Sequence, residues 1–154
     1  MTLIRKDDAP VETGTWASVA ALGAYTARLY SRAGGLTQFG AFVETLEPGS
    51  ASSDRHWHEE EDELVYLLDG EATLVEDTGA QVMRPGDAAC WKAGEANAHH
   101  LVNRSGRPCS YLVVGTRAPA DRVHYADVDK MYVRRADGTE IRTRRDGSPL
   151  EDAP

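Results

Sequence analysis

Two histidines one residue apart, His56 and His58, followed after four residues by Glu63, are the side chains here with the most chemistry to offer. In an extended strand alternate side chains share a face, so both imidazoles point the same way, with α-carbons ~7 Å apart. Two ring nitrogens then reach one ion. Glu63 lies beyond a short polar loop and opens the apolar run Leu64-Val65-Tyr66-Leu67-Leu68, which reads as a second strand able to return a carboxylate to the same place. A second pair, His99-His100, comes later in the chain, and in an extended segment only one of the two can face inward. The remaining polar and aromatic residues around these motifs have plainer readings. Glu59 to Asp62 is a solvated loop, Trp57 packs on the face opposite the histidines, His124 is a lone surface or hydrogen-bonded histidine, and Tyr66 and Tyr111 are core, or else line a barrel wall.

The elements that must position these side chains are short strands. LTQFGAFVETL (Leu36 to Leu46) is rich in β-branched and aromatic residues and stops at Pro48-Gly49-Ser50, which is turn chemistry. ELVYLLDGEATLVE reads as a hairpin, two apolar runs split by Asp69-Gly70. Asp77-Thr78-Gly79, Arg84-Pro85-Gly86-Asp87 and Asn103-Arg104-Ser105-Gly106 mark further turns. Thr26 to Tyr30, Gln81 to Met83, Ala88 to Trp91, His99 to Asn103 and Ser110 to Gly115 are strand candidates between them. Past Arg117 the pattern weakens, and Asp137-Gly138 and Asp146-Gly147 leave one hairpin or a frayed tail. No amphipathic helix interrupts the series, so the fold class is all-β, a sandwich or a barrel.

Bulk properties narrow the function. The chain has 154 residues, 41% hydrophobic and 27% charged, and a formal net charge of −8. That size suits one domain with a real core. The acidic balance, with no long Lys/Arg cluster, disfavours nucleic acid and anionic membrane as partners and leaves a small-molecule ligand or substrate. The opening residues carry both charge signs and lack the apolar stretch of a signal peptide, which makes a cytoplasmic location the expectation. Cys90 and Cys109 are then expected as reduced core thiols.

The spacing Gly49, six residues, His56-x-His58, four residues, Glu63, six residues, Gly70, then Gly86, and later Gly94, His99, three residues, Asn103, resembles the two-part signature of the cupin superfamily, and of its small single-domain bacterial members in particular. Three features depart from it: Lys92 stands where proline is usual, four residues rather than two separate Gly94 from His99, and the spacing before His56 is one residue longer than usual. The resemblance implies a jelly-roll β-barrel (a double-stranded β-helix) over residues 36–117, with an N-terminal extension over 1–35 and a C-terminal one over 118–154. It implies one divalent transition metal ion, iron, manganese, nickel, zinc, cobalt or copper, held by His56, His58, Glu63 and His99; this donor set does not choose among them. Glu63 is also the residue expected to act as catalytic base. Iron would imply oxygenase chemistry, and zinc, nickel or manganese Lewis-acid isomerase or lyase chemistry. A non-catalytic metal-centred sensor is the alternative, since this fold hosts both. Small cupins also resemble one another in pairing through an N-terminal strand, so a homodimer is expected.

Overall fold

The computed structural model describes residues 3–16 and 23–150. Its strands, in chain order, are β1 (Val11–Trp16), β2 (Gly23–Arg28), β3 (Phe39–Leu46), β4 (His56–His58), β5 (Glu63–Asp69), β6 (Ala72–Glu76), β7 (Gly79–Met83), β8 (Ala88–Trp91), β9 (His100–Val102), β10 (Cys109–Thr116), β11 (Asp121–Tyr125), β12 (Met131–Arg134) and β13 (Glu140–Thr143). Among the described residues the one α-helix is a single turn, Tyr30–Ala33. None of them forms a helix long and apolar enough to cross a membrane.

All strand pairs are antiparallel, in a six-stranded sheet of order β1-β2-β3-β10-β5-β8, a four-stranded sheet β13-β12-β11-β4 and a three-stranded sheet β7-β6-β9. The two smaller sheets are stitched by a bridge between His56 and His99, whose backbone N–H groups each donate to the other's carbonyl at 3.2 and 3.0 Å. They face the large sheet across one core: Leu46, Val65, Leu67, Tyr111 and Val113 on one side meet Leu74, Met83 and Leu101 on the other. The alternation in β5 explains this packing. Val65 and Leu67 are buried while Tyr66 and Leu68 face outward, and each buried aliphatic side chain contributes ~1.5–3 kcal/mol.

Several strand ends differ from the sequence reading. Strand β2 stops at Arg28 because Tyr30 opens the helical turn, and β3 starts at Phe39 rather than Leu36. The weakly patterned C-terminal region holds β11 to β13, with β12 and β13 joined by a hairpin across Asp137-Gly138, where Gly138 has φ 83°. Tyr66 is 40% exposed, not core, and Cys90 is exposed while Cys109 is buried; both thiols are free.

The expected hairpin at Asp69-Gly70 is not one. Strand β5 pairs with β10 and β8, whereas β6 pairs with β7 and β9, so the turn is a corner that carries the chain from one sheet to the other. A hairpin and a corner both need positive φ at a glycine, and Gly70 has φ 83°. Here the backbone also comes so close to β10 that a β-carbon on residue 70 would sit 2.8 Å from Cys109 Cα and Pro108 O. Gly70→Ala is therefore expected to destabilise the metal-free protein by more than ~2 kcal/mol in chemical denaturation. A loss below half of that would mean the corner relaxes freely.

Candidate metal centre

Strand β4 projects His56 and His58 toward the core side, and β5 brings Glu63 to meet them. The candidate ligand atoms of these three residues lie within 4.8 Å of one another. Around Glu63 Oε2 stand three imidazole nitrogens: His56 Nε2 at 4.0 Å, His58 Nε2 at 3.8 Å and His99 Nε2 at 3.7 Å. Those separations are too long for hydrogen bonds. They suit donors that each sit ~2.1 Å from a common ion.

The other nitrogen of each ring is occupied. His56 Nδ1 lies 3.0 Å from the Asp54 carbonyl, His99 Nδ1 lies 3.0 Å from the Asn97 carbonyl, and His58 Nδ1 lies 2.6 Å from Asp121 Oδ2. A carbonyl or carboxylate can only accept, so each Nδ1 carries the proton and each Nε2 is left with its lone pair toward Glu63. His99 Nε2 is buried with no hydrogen-bond partner, which a neutral imidazole tolerates poorly unless an electrophile takes the lone pair. The residues present thus fit a divalent metal. His99 is further fixed by stacking on Trp91, with ring centroids 3.6 Å apart and planes 8° from parallel. His100, its neighbour, turns away and bonds the Ser53 carbonyl through Nδ1 at 2.8 Å.

The centre opens into a cavity of about 390 Å³, walled by Phe42, Val65, Trp91, Tyr111 and Val113 and reached by Glu44, Arg117 and Arg134. That volume takes a small metabolite.

Residues 42–115 match the Cupin domain family. A cupin sugar phosphate isomerase from Silicibacter pomeroyi DSS-3 superposes with a TM-score of 0.89, at 38% identity over 98% of both chains. The chain is a cupin. A provisionally named sugar phosphate isomerase from Acidithiobacillus ferrooxidans ATCC 23270 matches at 27% identity over 84% of this chain and 82% of its own, TM-score 0.75. The polyketide cyclase RemF from Streptomyces resistomycificus matches at 26% identity over 83% and 87%, TM-score 0.65. Among curated proteins no sequence matches.

Two departures of this cupin from the family spacing fall in one hydrogen-bonded stretch, Lys92 to His99. Gly94 takes φ 77° in a tight turn closed by Glu95 N–H donating to the Lys92 carbonyl at 3.0 Å, and Gly94 N–H donates to the His58 carbonyl at 2.9 Å. The longer stretch before His99 supplies Asn97, whose carbonyl orients the ring.

Sequence reasoning missed four groups around the cupin centre. Asp121, from β11, is buried and holds both His58 and the Glu60 N–H. Glu61, assigned to a solvated loop, is instead half-buried; Arg134 donates to it, and its Oε2 stands 3.9 Å from His58 Nδ1. Asp121, Glu61 and His58 are themselves close enough to hold an ion, but Asp121 already takes the Nδ1 proton of His58 and Arg134 takes Glu61, so this group supports the first rather than forming another site. The third is Glu44, buried in β3, which accepts a hydrogen bond from the Tyr111 hydroxyl. Arg117 is the fourth. His124, read as a lone surface or hydrogen-bonded histidine, stacks on Trp57 and lies 2.7 Å from Glu59 Oε1, away from the cluster.

Electrostatics separates these groups. Burial pushes His56 down to about 4, against the pull of Glu63, so the ring stays neutral near pH 7. Burial also acts to lower His58, but the Asp121 carboxylate outweighs it and the net shift is upward. For Glu63 burial is again the largest influence and would raise it; His99, then the charges of the histidines around it, overcome that and hold it below the usual range. Glu44 goes the other way: burial raises it to about 7, with the Tyr111 bond opposing and the Glu63 charge adding.

Proposed function

We propose that the protein is a metal-dependent isomerase of phosphorylated sugars, with His56, His58, Glu63 and His99 as ligands of one divalent transition metal. The observation that carries the reading is the ring arrangement, three Nδ1 protons tied down and three Nε2 lone pairs turned on one carboxylate, at the base of a cavity of metabolite size. The relative from Silicibacter pomeroyi, named as a sugar phosphate isomerase and alike over nearly the whole chain, supports the reaction class.

When bound, the ion supplies Lewis acidity that acidifies the carbon next to a substrate carbonyl. The chain must then move one proton between neighbouring carbons. Glu63 is the weaker base of the two carboxylates in the cavity, since the histidines stabilise its charge; its role is that of a ligand. Glu44 is not in the ligand cluster and titrates near the working pH, so it takes the proton from one carbon and returns it to the next, while Tyr111 holds its carboxyl in place. Phe42, Val65 and Val113 keep bulk water from the reacting carbons.

The test is proton NMR in heavy water with metal-reconstituted protein and a panel of aldose and ketose phosphates. One pair is expected to interconvert with deuterium uptake next to the carbonyl, and a chelator should abolish it. Thermal stabilisation by a sugar phosphate without any exchange would replace the isomerase by a binding protein.

A further inference from the structure

Along β3 and β10 the inward side chains alternate, and the last of them at the cavity mouth are unusual. Gly40, Phe42 and Glu44 of β3 line the cavity, as do Tyr111, Val113 and Gly115 of β10. Gly40 and Gly115 are cross-strand partners, and Gly115 is also opposite Glu63, so two residues without side chains share the rung of a metal ligand. Arg117 follows two residues past Gly115, ~7 Å of extended chain, and lines the cavity mouth as an exposed residue. Its guanidinium lies over Gly40: a β-carbon built there would stand 3.6 Å from both Nε and Nη2.

The cations near this centre differ in their partners. Arg134 donates to Glu61 and the Ala118 carbonyl, Arg122 pairs with Glu59 at 3.2 Å and Lys130 with Asp54 at 2.9 Å. Among the described residues the Arg117 side chain makes no hydrogen bond or ion pair, although the chain carries 25 acidic residues against 17 basic ones. An exposed guanidinium at the cavity mouth, left unpaired over a cleared floor and one strand step from the metal rung, lacks the anion that its planar fork of donors matches.

We infer that Arg117 is the anchor for a terminal oxyanion of the ligand, a phosphate monoester in the first place, whose other end lies at the histidine cluster. This rests on the reading of the cavity as a sugar-phosphate site and adds the residue that tells a phosphorylated substrate from its free sugar. Gly115, which has no side chain, lies across the sheet between Gly40 under the guanidinium and Glu63 of the cluster, where the carbon chain would run.

Titration calorimetry on the metal-loaded protein tests it with three probes: arabinonate, arabinonate phosphorylated on its terminal hydroxyl, and arabinarate, whose terminal carbon is a carboxylate. The phosphorylated probe should bind ~10- to 100-fold more tightly than arabinonate, as charge-assisted hydrogen bonds allow. Arg117→Met should erase that gap and leave arabinonate affinity unchanged, and Arg117→Lys should keep part of it. If arabinarate gains the same advantage and loses it in Arg117→Met, the oxyanion site stands with a carboxylate as its source. Equal binding of all three probes to the native protein, or a gap that survives Arg117→Met, overturns the assignment while leaving the metal cavity intact. No binding of any probe overturns both.

Discussion

His58→Ala is expected to lower bound metal from about one ion per chain to a small residue, while His124→Ala retains it in full. The two histidines lie in paired strands, β4 and β11, and both bond a carboxylate, so the contrast isolates the site rather than histidine content. Removing His58 deletes one of the converging Nε2 atoms and also leaves Asp121 buried without its partner, which weakens the cluster further. Metal analysis after dialysis measures it, and equal content in both variants would contradict the ligand assignment. Acidification should act through the same atoms. Because Asp121 raises His58 whereas burial depresses His56, the first proton to compete with the metal goes to His58, and occupancy should fall as pH drops through the histidine range.

Glu44→Gln carries the second large effect, with opposite signs in activity and stability. As the proton carrier, Glu44 should cost ~10²- to 10⁴-fold in turnover when replaced, with metal content unchanged. Its carboxyl sits at about 7 in the folded protein against an ordinary value of 4.5, a raised acid. Such a group binds a proton in the fold that the unfolded chain has already lost, so its stabilising contribution is present below 4.5 and is lost as pH rises through 7. Glutamine keeps the neutral form at every pH. Relative to the native chain, the metal-free variant should therefore gain ~3 kcal/mol between pH 4.5 and pH 7.5. Denaturation at the two pH values measures it, and a difference independent of pH would mean that Glu44 titrates normally and is a poor candidate for the proton step.

What could be seen in the sequence divides by the range of the interactions. His56 and His58 were legible because strand alternation alone aims them together, and the offsets of Glu63, Gly70 and His99 carried the rest of the cluster and the barrel. Asp121, Glu44 and Arg117 were not. Each reaches the site through pairings distant in the chain, such as Tyr111 opposite Glu44 and β11 against β4, for which no local pattern exists. Glu61 was misread because an acidic run looks the same whether solvated or, as here, bonded to an arginine far along the chain. The Asp69-Gly70 turn shows the same limit: positive φ was legible, but its use, a corner instead of a hairpin, depends on which strands lie on either side.

The central claim is that three imidazole Nε2 atoms and one carboxylate close on a single cation, each ring held by its own Nδ1 proton. Anomalous diffraction at the absorption edge of the resident metal tests it most directly. The account predicts one peak, ~2.1 Å from Nε2 of His56, His58 and His99 and from a Glu63 oxygen. A peak at the Asp121 and Glu61 side of His58, or coordination through any Nδ1, would contradict it.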